Sequence, residues 1–367
     1  MERKQKELSD LQYGPFLEFI KDDRITDVDY NGKELWVRDT NNARCKVVNS
    51  NITNQITEKF IEDFSINVAT LIGKNFTPTD NNVIEAETGT LRITIIHSSI
   101  AMTGTCICIR KTPPVQRITV ESAIENHYCE EKVLYLLANC VRAKLNMVFC
   151  GEPGVGKTEC AKFLTSFIPK EEKVVTVEDT SEIHYREINP GKDCVELHVN
   201  EYFSYKKAMC TVLRMMPNRV MLSEARSVES EQLVECWIAG ITGFATLHTD
   251  DIRKIPDRIL SMMPTREDAD RLENDVYTGL NVGILLDMRL NEVSGKQERY
   301  IRQVGFFDRD IKHNKCNGCV MAVYQGKLME DMIPEYIREK MHKAGIENPF
   351  FNKDVYDILC HDKEKPL

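Results

Sequence analysis

Residues 151–158 read GEPGVGKT, and this stretch decides the fold class. It matches the pattern G-x-x-x-x-G-K-[ST] at every fixed position. The apolar run before it, at 145–150, is expected to be a buried strand, and the run after it, at 158–167, is expected to be a helix. In that context the motif predicts a phosphate-binding loop, or P-loop, within a parallel α/β sheet. The alternative is a glycine-rich turn without a ligand, which the flanking strand and helix disfavour.

The chemistry of such a loop assigns a role to each of its parts. Glycines let the backbone direct N–H groups at phosphate oxygens, and the following helix adds partial positive charge at its N-terminus. The Lys157 ammonium is expected to reach the β- and γ-phosphates, and the Thr158 hydroxyl is expected to hold Mg²⁺. The predicted cofactors are therefore ATP and Mg²⁺. The predicted nucleotide-binding residues are Gly151, Glu152, Pro153, Gly154, Val155, Gly156, Lys157, Thr158 and Glu159.

The sequence on either side of the P-loop alternates between strand and helix patterns. This alternation, with β-branched apolar strands, predicts a parallel sheet covered by helices on both faces. We assign it to a domain at 123–305. The expected strands lie at 145–150, 173–178, 220–223 and 245–248, and the expected helices lie at 158–167, 205–213 and 230–239.

A smaller α+β domain is predicted before it, at 1–112. Residues 24–39 indicate a hairpin, because Asn31-Gly32 can supply a two-residue turn between alternating apolar residues. A helix, ending near Gly73, and two further strands complete the domain. These three elements are expected at 55–73, 91–97 and 105–111.

The segment KTPPVQRITVES separates the two domains. Its consecutive prolines cannot continue a helix or a central strand, so we place the linker at 113–122. Thr119 and Ser122 form a capping signal for a helix expected at 123–142. The remaining residues, 306–367, are predicted to be an appendage of helices and a hairpin.

Polar side chains follow three of the apolar strands in the second domain. Glu224 comes after VMLS, Glu178 ends VVTVE, and His248 ends GFATLH. The carboxyl ends of parallel strands meet at one edge of a sheet, so these groups are expected beside the P-loop. Glu224 can polarise the attacking water, Glu178 can order Mg²⁺ or water, and His248 can report the state of the nucleotide. Solvated strand ends and a structural histidine are the alternatives.

Composition indicates the compartment in which the chain acts and the class of partner that it disfavours. Its net charge of −9 and the lack of an aromatic-basic platform disfavour a nucleic-acid binder. The 13 cysteines indicate a reducing cytosol rather than a disulfide framework. The sequence MERKQKELSD has no apolar core, and no apolar run is long enough to cross a bilayer. We therefore predict a cytoplasmic protein that meets a membrane only through partners.

The order of four stretches, GEPGVGKTE, VVTVEDTSEI, LRMMPNRVMLSEARS and GFATLHTDD, resembles the type II/type IV secretion ATPase superfamily. They are similar to its Walker A, Asp box, Walker B and His box, with the type IV secretion and CpaF-like branch most similar. The resemblance extends over roughly residues 20–305. It implies a sensor-like N-terminal domain, a linker and a RecA-like ATPase domain, assembled as a hexameric ring. ATP would lie between the domains, and Arg92 and Arg110 would approach its γ-phosphate.

The sequence departs from that family at several positions. Ser223 replaces the Walker B glycine, and only Pro217 and Arg219 remain of an Arg-Pro-Asp-Arg-like stretch. The tail carries His313, Cys316 and Cys319, whose spacing could supply three zinc ligands. A simpler interpretation of CNGC is that its Asn-Gly pair forms a hairpin turn.

The resemblance and the motifs together predict a hexameric ATPase motor. It would work with inner-membrane components of a secretion, conjugation or pilus-assembly apparatus, at the inner face of the cell membrane, without binding nucleic acid directly. Catalysis is assigned to Glu224, Glu178, His248, Arg110 and Arg92. Two other functions stay open: a RecA-like nucleic-acid motor, and a nucleotide-gated scaffold without significant turnover.

Overall fold

In the computed structural model, contacts between residues divide the chain into two compact units, Met1–Pro114 and Val115–Leu367. The structure describes residues 7–225, 227–263, 269–292, 295–310, 315–329 and 332–363. No helix among these residues is long and apolar enough to cross a bilayer. The division falls inside the stretch that the two prolines mark as a linker.

The N-terminal unit is built on a six-stranded antiparallel sheet in the order β3-β2-β1-β6-β5-β4. The predicted hairpin is confirmed, with its turn one residue later than expected: Asn31 N–H bonds to the Glu34 carbonyl, so Gly32 and Lys33 occupy the tip. Gly32 has φ +92°, and a Cβ there would lie 2.7 Å from the Thr103 carbonyl oxygen. The strands are β1 Ile25–Tyr30, β2 Leu35–Asp39, β3 Arg44–Lys46, β4 Val83–Thr88, β5 Leu91–Ile96 and β6 Cys106–Lys111.

Helices cover one face of this sheet. The longest is the predicted helix, which begins after Thr57, whose hydroxyl accepts the Phe60 N–H, and which is followed by Gly73 at φ +72°. It buries Phe64 and Val68 against the sheet. The helices are α1 Asp10–Tyr13, α2 Leu17–Lys21, α3 Ser50–Thr53 and α4 Glu58–Leu71, with a 3₁₀ turn at Gly14–Phe16.

The second unit has a nine-stranded sheet in the order β15-β14-β13-β12-β7-β11-β10-β8-β9. The six strands from β12 to β9 in this order are parallel, and β13, β14 and β15 add antiparallel pairs at one edge. The parallel α/β class predicted from the P-loop is therefore confirmed. The strands are β7 Met147–Cys150, β8 Val174–Glu178, β9 Cys194–His198, β10 Arg219–Leu222, β11 Thr242–Leu247, β12 Val282–Leu290, β13 Gln297–Asp310, β14 Lys315–Tyr324 and β15 Lys327–Leu328.

Helices cover both faces of this sheet. Alternate residues of β7 show the arrangement: Met147 and Phe149 enter one core, and Val148 and Cys150 enter the other. The helices are α5 Val120–Glu125, α6 Glu131–Arg142, α7 Lys157–Thr165, α8 Tyr185–Ile188, α9 Tyr205–Met215, α10 Ser227–Ile238, α11 Ile255–Met262, α12 Ala269–Gly279, α13 Glu335–Lys343 and α14 Lys353–Lys363, with a 3₁₀ turn at Ile252–Lys254.

Two boundaries differ from the sequence prediction. The helix expected at 123–142 is two helices, α5 and α6, because the chain turns at His127, which has φ +52°. The boundary expected between 305 and 306 lies inside β13, whose pairing with β14 carries the sheet onward. The chain after it packs back on the core of the second unit, where Asn139 Nδ2 donates to the carbonyls of Pro349 and Phe351, each at 2.9 Å.

The prediction of a hairpin turn at Asn317-Gly318 was wrong. Gly318 belongs to β14 and pairs with Asp308 of β13, and the register of the two strands shifts at the next pair. The φ of +91° at Gly318 therefore belongs to a β-bulge. His313 and the side chain of Cys316 lie outside the described residues, so the hypothesis of three zinc ligands concerns a part of the chain that the structure does not describe. Among the residues that are described, no group of three or more His, Cys, Asp or Glu could hold a metal ion.

Arg219, retained from the family pattern, lies at the start of β10 and is fully buried. Its Nε donates to Glu172 Oε2 at 2.5 Å and its Nη2 to the Val141 carbonyl at 2.6 Å. A buried charge requires such partners. Arg219 therefore fixes the end of the sheet opposite to the one that carries the P-loop.

Candidate nucleotide-binding and hydrolysis site

The P-loop connects β7 to α7 through three glycines in backbone conformations that other residues rarely adopt. Gly151, Gly154 and Gly156 have φ of +140°, +84° and +93°. A Cβ on Gly151 would lie 2.5 Å from the Leu286 carbonyl oxygen, so only glycine fits there. Helix α7 begins immediately after Gly156, which directs its first N–H groups into the loop. The loop thus has the shape and the helix N-terminus that a phosphate cradle requires.

Lys157 lies inside the loop rather than on its surface. Its ammonium donates to the carbonyls of Gly151 and Glu152, both at 3.0 Å, and its residue is 9% exposed. Burial lowers the pKa of this ammonium, and the nearby Glu224 carboxylate opposes that shift. The loop's own carbonyl groups therefore aim the lysine across the mouth of the P-loop.

A contact chain joins Lys157, His248 and Glu224. Lys157 Nζ lies 3.2 Å from His248 Nδ1, and His248 Nε2 lies 3.4 Å from Glu224 Oε1. An ammonium can only donate, so Nδ1 must accept and the ring proton must be on Nε2. That tautomer points its N–H at Glu224. The histidine thereby connects the P-loop lysine to the strand-end carboxylate.

Sheet topology explains why these residues meet. Strands β7, β11 and β10 are parallel neighbours, with Cys150 opposite Leu247 and Ala245 opposite Leu222. Their carboxyl ends therefore open at the same edge. Beyond β10 the Thr246 hydroxyl donates to the Ser223 carbonyl, and Ala225 N–H bonds to the Thr246 carbonyl at 2.8 Å. Ser223 does not have a positive φ, so a serine replaces the family glycine without backbone strain.

The acids after β8 take different positions. Glu178 is 5% exposed, and its Oε1 accepts the N–H groups of Glu182 and Ile183 at 3.1 and 3.0 Å. Burial raises the pKa of Glu178 to about 8, although the two N–H bonds oppose the shift. Glu182, by contrast, accepts a bond from the Thr158 hydroxyl through Oε2 at 3.3 Å. The catalytic role expected for Glu178 stays a prediction, and the carboxylate in contact with the P-loop threonine is Glu182.

Arg299 is a site residue that sequence reasoning missed. It lies on β13, and its Nε and Nη2 are 3.3 and 3.2 Å from the Gly154 carbonyl. Its Cδ is the atom that a Cβ on Gly156 would meet first, at 3.4 Å. No sequence signal marks this arginine, because only the pairing of β13 with β12 and of β12 with β7 brings it to the loop.

Arg92 and Arg110 belong to the N-terminal unit, where β5 and β6 place them directly opposite each other. The neighbours in the same register are Glu87 on β4 and Asp27 on β1. We call Glu87, Arg92, Arg110 and Asp27 the charged row. It lies on the sheet face opposite the core, since Ala86, Ile93, Ile109 and Val28, the alternate residues, are buried.

Comparison with known proteins gives the context of this site. A sequence model of the family described as "Type II/IV secretion system protein" matches residues 35–347. An uncharacterized protein of Bacillus anthracis is 26% identical over 303 residues, which cover 82% of this chain and 67% of that protein. The type IV secretion system protein VirB11 of Bartonella quintana is 25% identical over 184 residues, covering 48% of this chain and 51% of VirB11. The chain thus spans about half the length of that relative.

A solved structure agrees with the fold. The ATPase DotB of Legionella pneumophila superposes with a TM-score of 0.59 at 13% identity, covering 99% of this chain and 98% of that one. At that identity the likeness concerns the fold alone. The family match, however, includes most of the chain, with both sides of the P-loop and strands β2 to β6 of the N-terminal sheet. The chain belongs to the type II/IV secretion system protein family and has the fold of its P-loop ATPases.

Proposed function

We propose that the chain is an ATPase that hydrolyses ATP to drive a secretion, conjugation or pilus-assembly apparatus. One observation carries the proposal: the chain of contacts from Lys157 through His248 to Glu224 at the mouth of the P-loop. A phosphate-binding cation and a carboxylate that can orient water are the two groups that phosphoanhydride hydrolysis requires. A loop that only bound nucleotide would not need the second.

Each residue has a defined task in this proposal. The P-loop N–H groups and Lys157 bind the phosphates, and Glu224, oriented by His248, takes up the proton of the attacking water. Mg²⁺, when bound with the nucleotide, would neutralise phosphate charge. Thr158 would hold it, and Glu182 is the carboxylate placed to order its surroundings. We thus assign to Glu182 the role of ordering Mg²⁺ or water that the strand-end pattern predicts for Glu178.

Arg92 and Arg110 are proposed to supply positive charge to the γ-phosphate as its bond to the leaving group breaks. Two like charges directly opposite each other on adjacent strands repel, and an anion that binds to both relieves the repulsion. A phosphate is such an anion, and guanidinium groups match its geometry. This supports the role that the family resemblance implies for both arginines.

The proposed assembly is a homo-hexamer that acts at the inner face of the cell membrane through membrane-embedded partner proteins. Family membership supports this assembly. The nucleic-acid motor is less well supported because the net charge is −9. The scaffold without turnover is less well supported because Lys157, Thr158 and Glu224 are all present.

The test compares the wild-type chain with Lys157→Ala for phosphate release from Mg²⁺–ATP, and measures native mass with and without ATP. We expect Lys157→Ala to lower turnover by at least about 10²-fold, the cost of removing a main electrostatic contact to the reacting group. Lys170→Ala is the matched control, because the Lys170 side chain is 78% exposed. The wild-type mass is expected at six times 42.2 kDa.

Three outcomes contradict parts of the proposal. ATP binding without hydrolysis in the wild-type chain would indicate the scaffold. Hydrolysis that rises on addition of DNA would indicate the nucleic-acid motor. A monomer under every condition would exclude the ring.

A further inference from the structure

The acid at one end of the charged row holds the neighbouring arginine. Arg110 Nε donates to Asp27 Oδ1 at 2.9 Å across the β6–β1 pair. The two side chains differ in exposure: Asp27 is 15% exposed and Arg110 is 61% exposed. The acid is thus set into the sheet face, and the guanidinium extends from it.

Asp27 is itself fixed by its neighbour on β1. The Thr26 hydroxyl lies 2.8 Å from Asp27 Oδ2, so each carboxylate oxygen has a bond within the sheet. Arg38, which faces Asp27 from β2, directs its Nη1 to Asn42 Oδ1 instead, at 2.7 Å. Of the two arginines beside Asp27, the structure therefore gives the ion pair to Arg110.

The charges of the row indicate what this ion pair does: it reduces the repulsion between two arginines. Arg92 and Arg110 are directly opposed, and such like-charge pairs destabilise a sheet. Glu87 lies opposite Arg92 and Asp27 lies opposite Arg110, and the ion pair with Asp27 offsets part of the repulsion at Arg110. Without Asp27, Arg110 would be expected to turn away from Arg92, because its side chain has many rotamers and is largely exposed.

We propose that Asp27 is a positioning residue for phosphate charge stabilisation, holding Arg110 by Nε so that its terminal nitrogens keep one orientation beside Arg92. This inference rests on the proposed function, in which Arg110 serves the γ-phosphate. A planar guanidinium that is fixed beforehand loses less conformational freedom when it meets its anion. Asp27 is then important to turnover although it touches no substrate atom.

The test is a double-mutant cycle on the full chain, with kcat and KM for ATP as readouts. We expect Arg110→Ala to lower kcat by about 10³-fold, as for loss of an arginine that stabilises transition-state charge. Asp27→Asn should lower kcat by about tenfold, with KM changed less, because positioning matters most in the transition state. In the Arg110→Ala background, Asp27→Asn should have no further effect.

Asp29→Asn is the matched control. Asp29 lies on the same strand and the same face two residues on, opposite Cys108, and pairs with Arg44 at 3.6 Å. It is therefore an acid on the same face of the sheet whose ion pair is with Arg44, and we expect the kcat of Asp29→Asn to match the wild-type value.

The outcomes distinguish the role of Arg110 from the role of Asp27. If Arg110→Ala leaves kcat unchanged, the proposed role of the arginine fails. If Arg110→Ala lowers kcat but Asp27→Asn has no effect, or has an equal effect in both backgrounds, the positioning role of Asp27 is overturned. A general loss of stability would lower activity in both backgrounds, which the cycle detects.

Two further variants keep the test decisive if Asp27→Asn does not fold. Thr26→Val keeps the ion pair but removes the hydroxyl that fixes Asp27 Oδ2, so a loss of a few-fold in kcat, absent in the Arg110→Ala background, supports the proposal. Asp27→Glu keeps the charge and should recover more activity than Asp27→Ala; equal activities of these two would overturn it.

Discussion

Two neighbouring strands of the ATPase sheet end in the same way in sequence and differently in structure. β8 and β10 are apolar, pair in parallel and run into glutamates, Glu178 and Glu224. Glu178 is turned inward, 5% exposed and bonded to the backbone of the loop that follows it. The Glu224 side chain is 28% exposed and contacts His248.

Register explains the difference. Val177 lies opposite Leu222, so Glu178 is level with Ser223 and Glu224 is one residue farther along. One residue along an extended chain reverses the face to which a side chain points. The same residue type is therefore a buried loop anchor after one strand and an open carboxylate after the next. An apolar strand followed by an acid predicts the edge of the sheet but not the task of the acid.

The largest expected effect separates these two acids by their kinetics. Glu224→Gln should lower kcat by about 10²- to 10⁴-fold while ATP binding persists, because it removes only the group that accepts the proton of water. Glu178→Gln should keep kcat within a few-fold, since an amide oxygen can still accept the N–H groups of Glu182 and Ile183. Single-turnover hydrolysis and filter binding of labelled ATP measure both quantities.

Equal losses in the two variants would break the comparison and restore the catalytic role that the sequence assigned to Glu178. Glu182→Gln serves as the third arm of the same assay. A loss in it that exceeds the loss in Glu178→Gln supports Glu182 as the acid beside Thr158, and the reverse order contradicts it.

A smaller effect is expected at the histidine that connects Glu224 to the P-loop. His248→Asn should lower kcat by about 10- to 100-fold with little change in ATP affinity, because it releases Glu224 from its orientation without removing a phosphate ligand. His198→Asn is a close control, since His198 also ends a strand of the same sheet, β9, and is exposed. If the two variants retain the same activity, His248 does not orient Glu224.

The contrast also shows how far sequence reasoning reaches. The P-loop, its strand and helix, and the edge that carries Glu224 and His248 follow from local patterns, because strand order in a parallel sheet brings carboxyl ends together. The hairpin and α4 were predictable for the same local reason: their turn and capping residues are adjacent in sequence. The fold class is thus largely contained in short stretches.

What could not be predicted depends on contacts between distant residues. Arg299 reaches the P-loop only because β13 pairs with β12 beside β7. The division of one expected helix at His127 accompanies a bond from Ile301 N–H to the Tyr128 carbonyl, which ties that turn to β13. Glu182, for which no role was predicted, contacts Thr158, while Glu178 bonds to the backbone of the loop that follows it. None of these leaves a pattern in the local sequence.

The smallest expected effect concerns stability rather than turnover, and it tests the buried member of the pair. Burial raises the pKa of Glu178 from 4.5 to about 8, so between these values the folded chain binds a proton that the unfolded chain releases. The contribution of Glu178 to the unfolding free energy is therefore fully present below pH 4.5 and is lost as the pH rises towards 8, by at most about 1.4 kcal/mol per pH unit. Glu178→Gln cannot ionise, so urea unfolding from pH 5 to 8 should show a shallower fall than in the wild-type chain. Glu171→Gln, at a side chain that is 71% exposed, should leave the slope unchanged. A wild-type slope in Glu178→Gln would mean that Glu178 is ionised in the folded protein and that its burial does not set it apart.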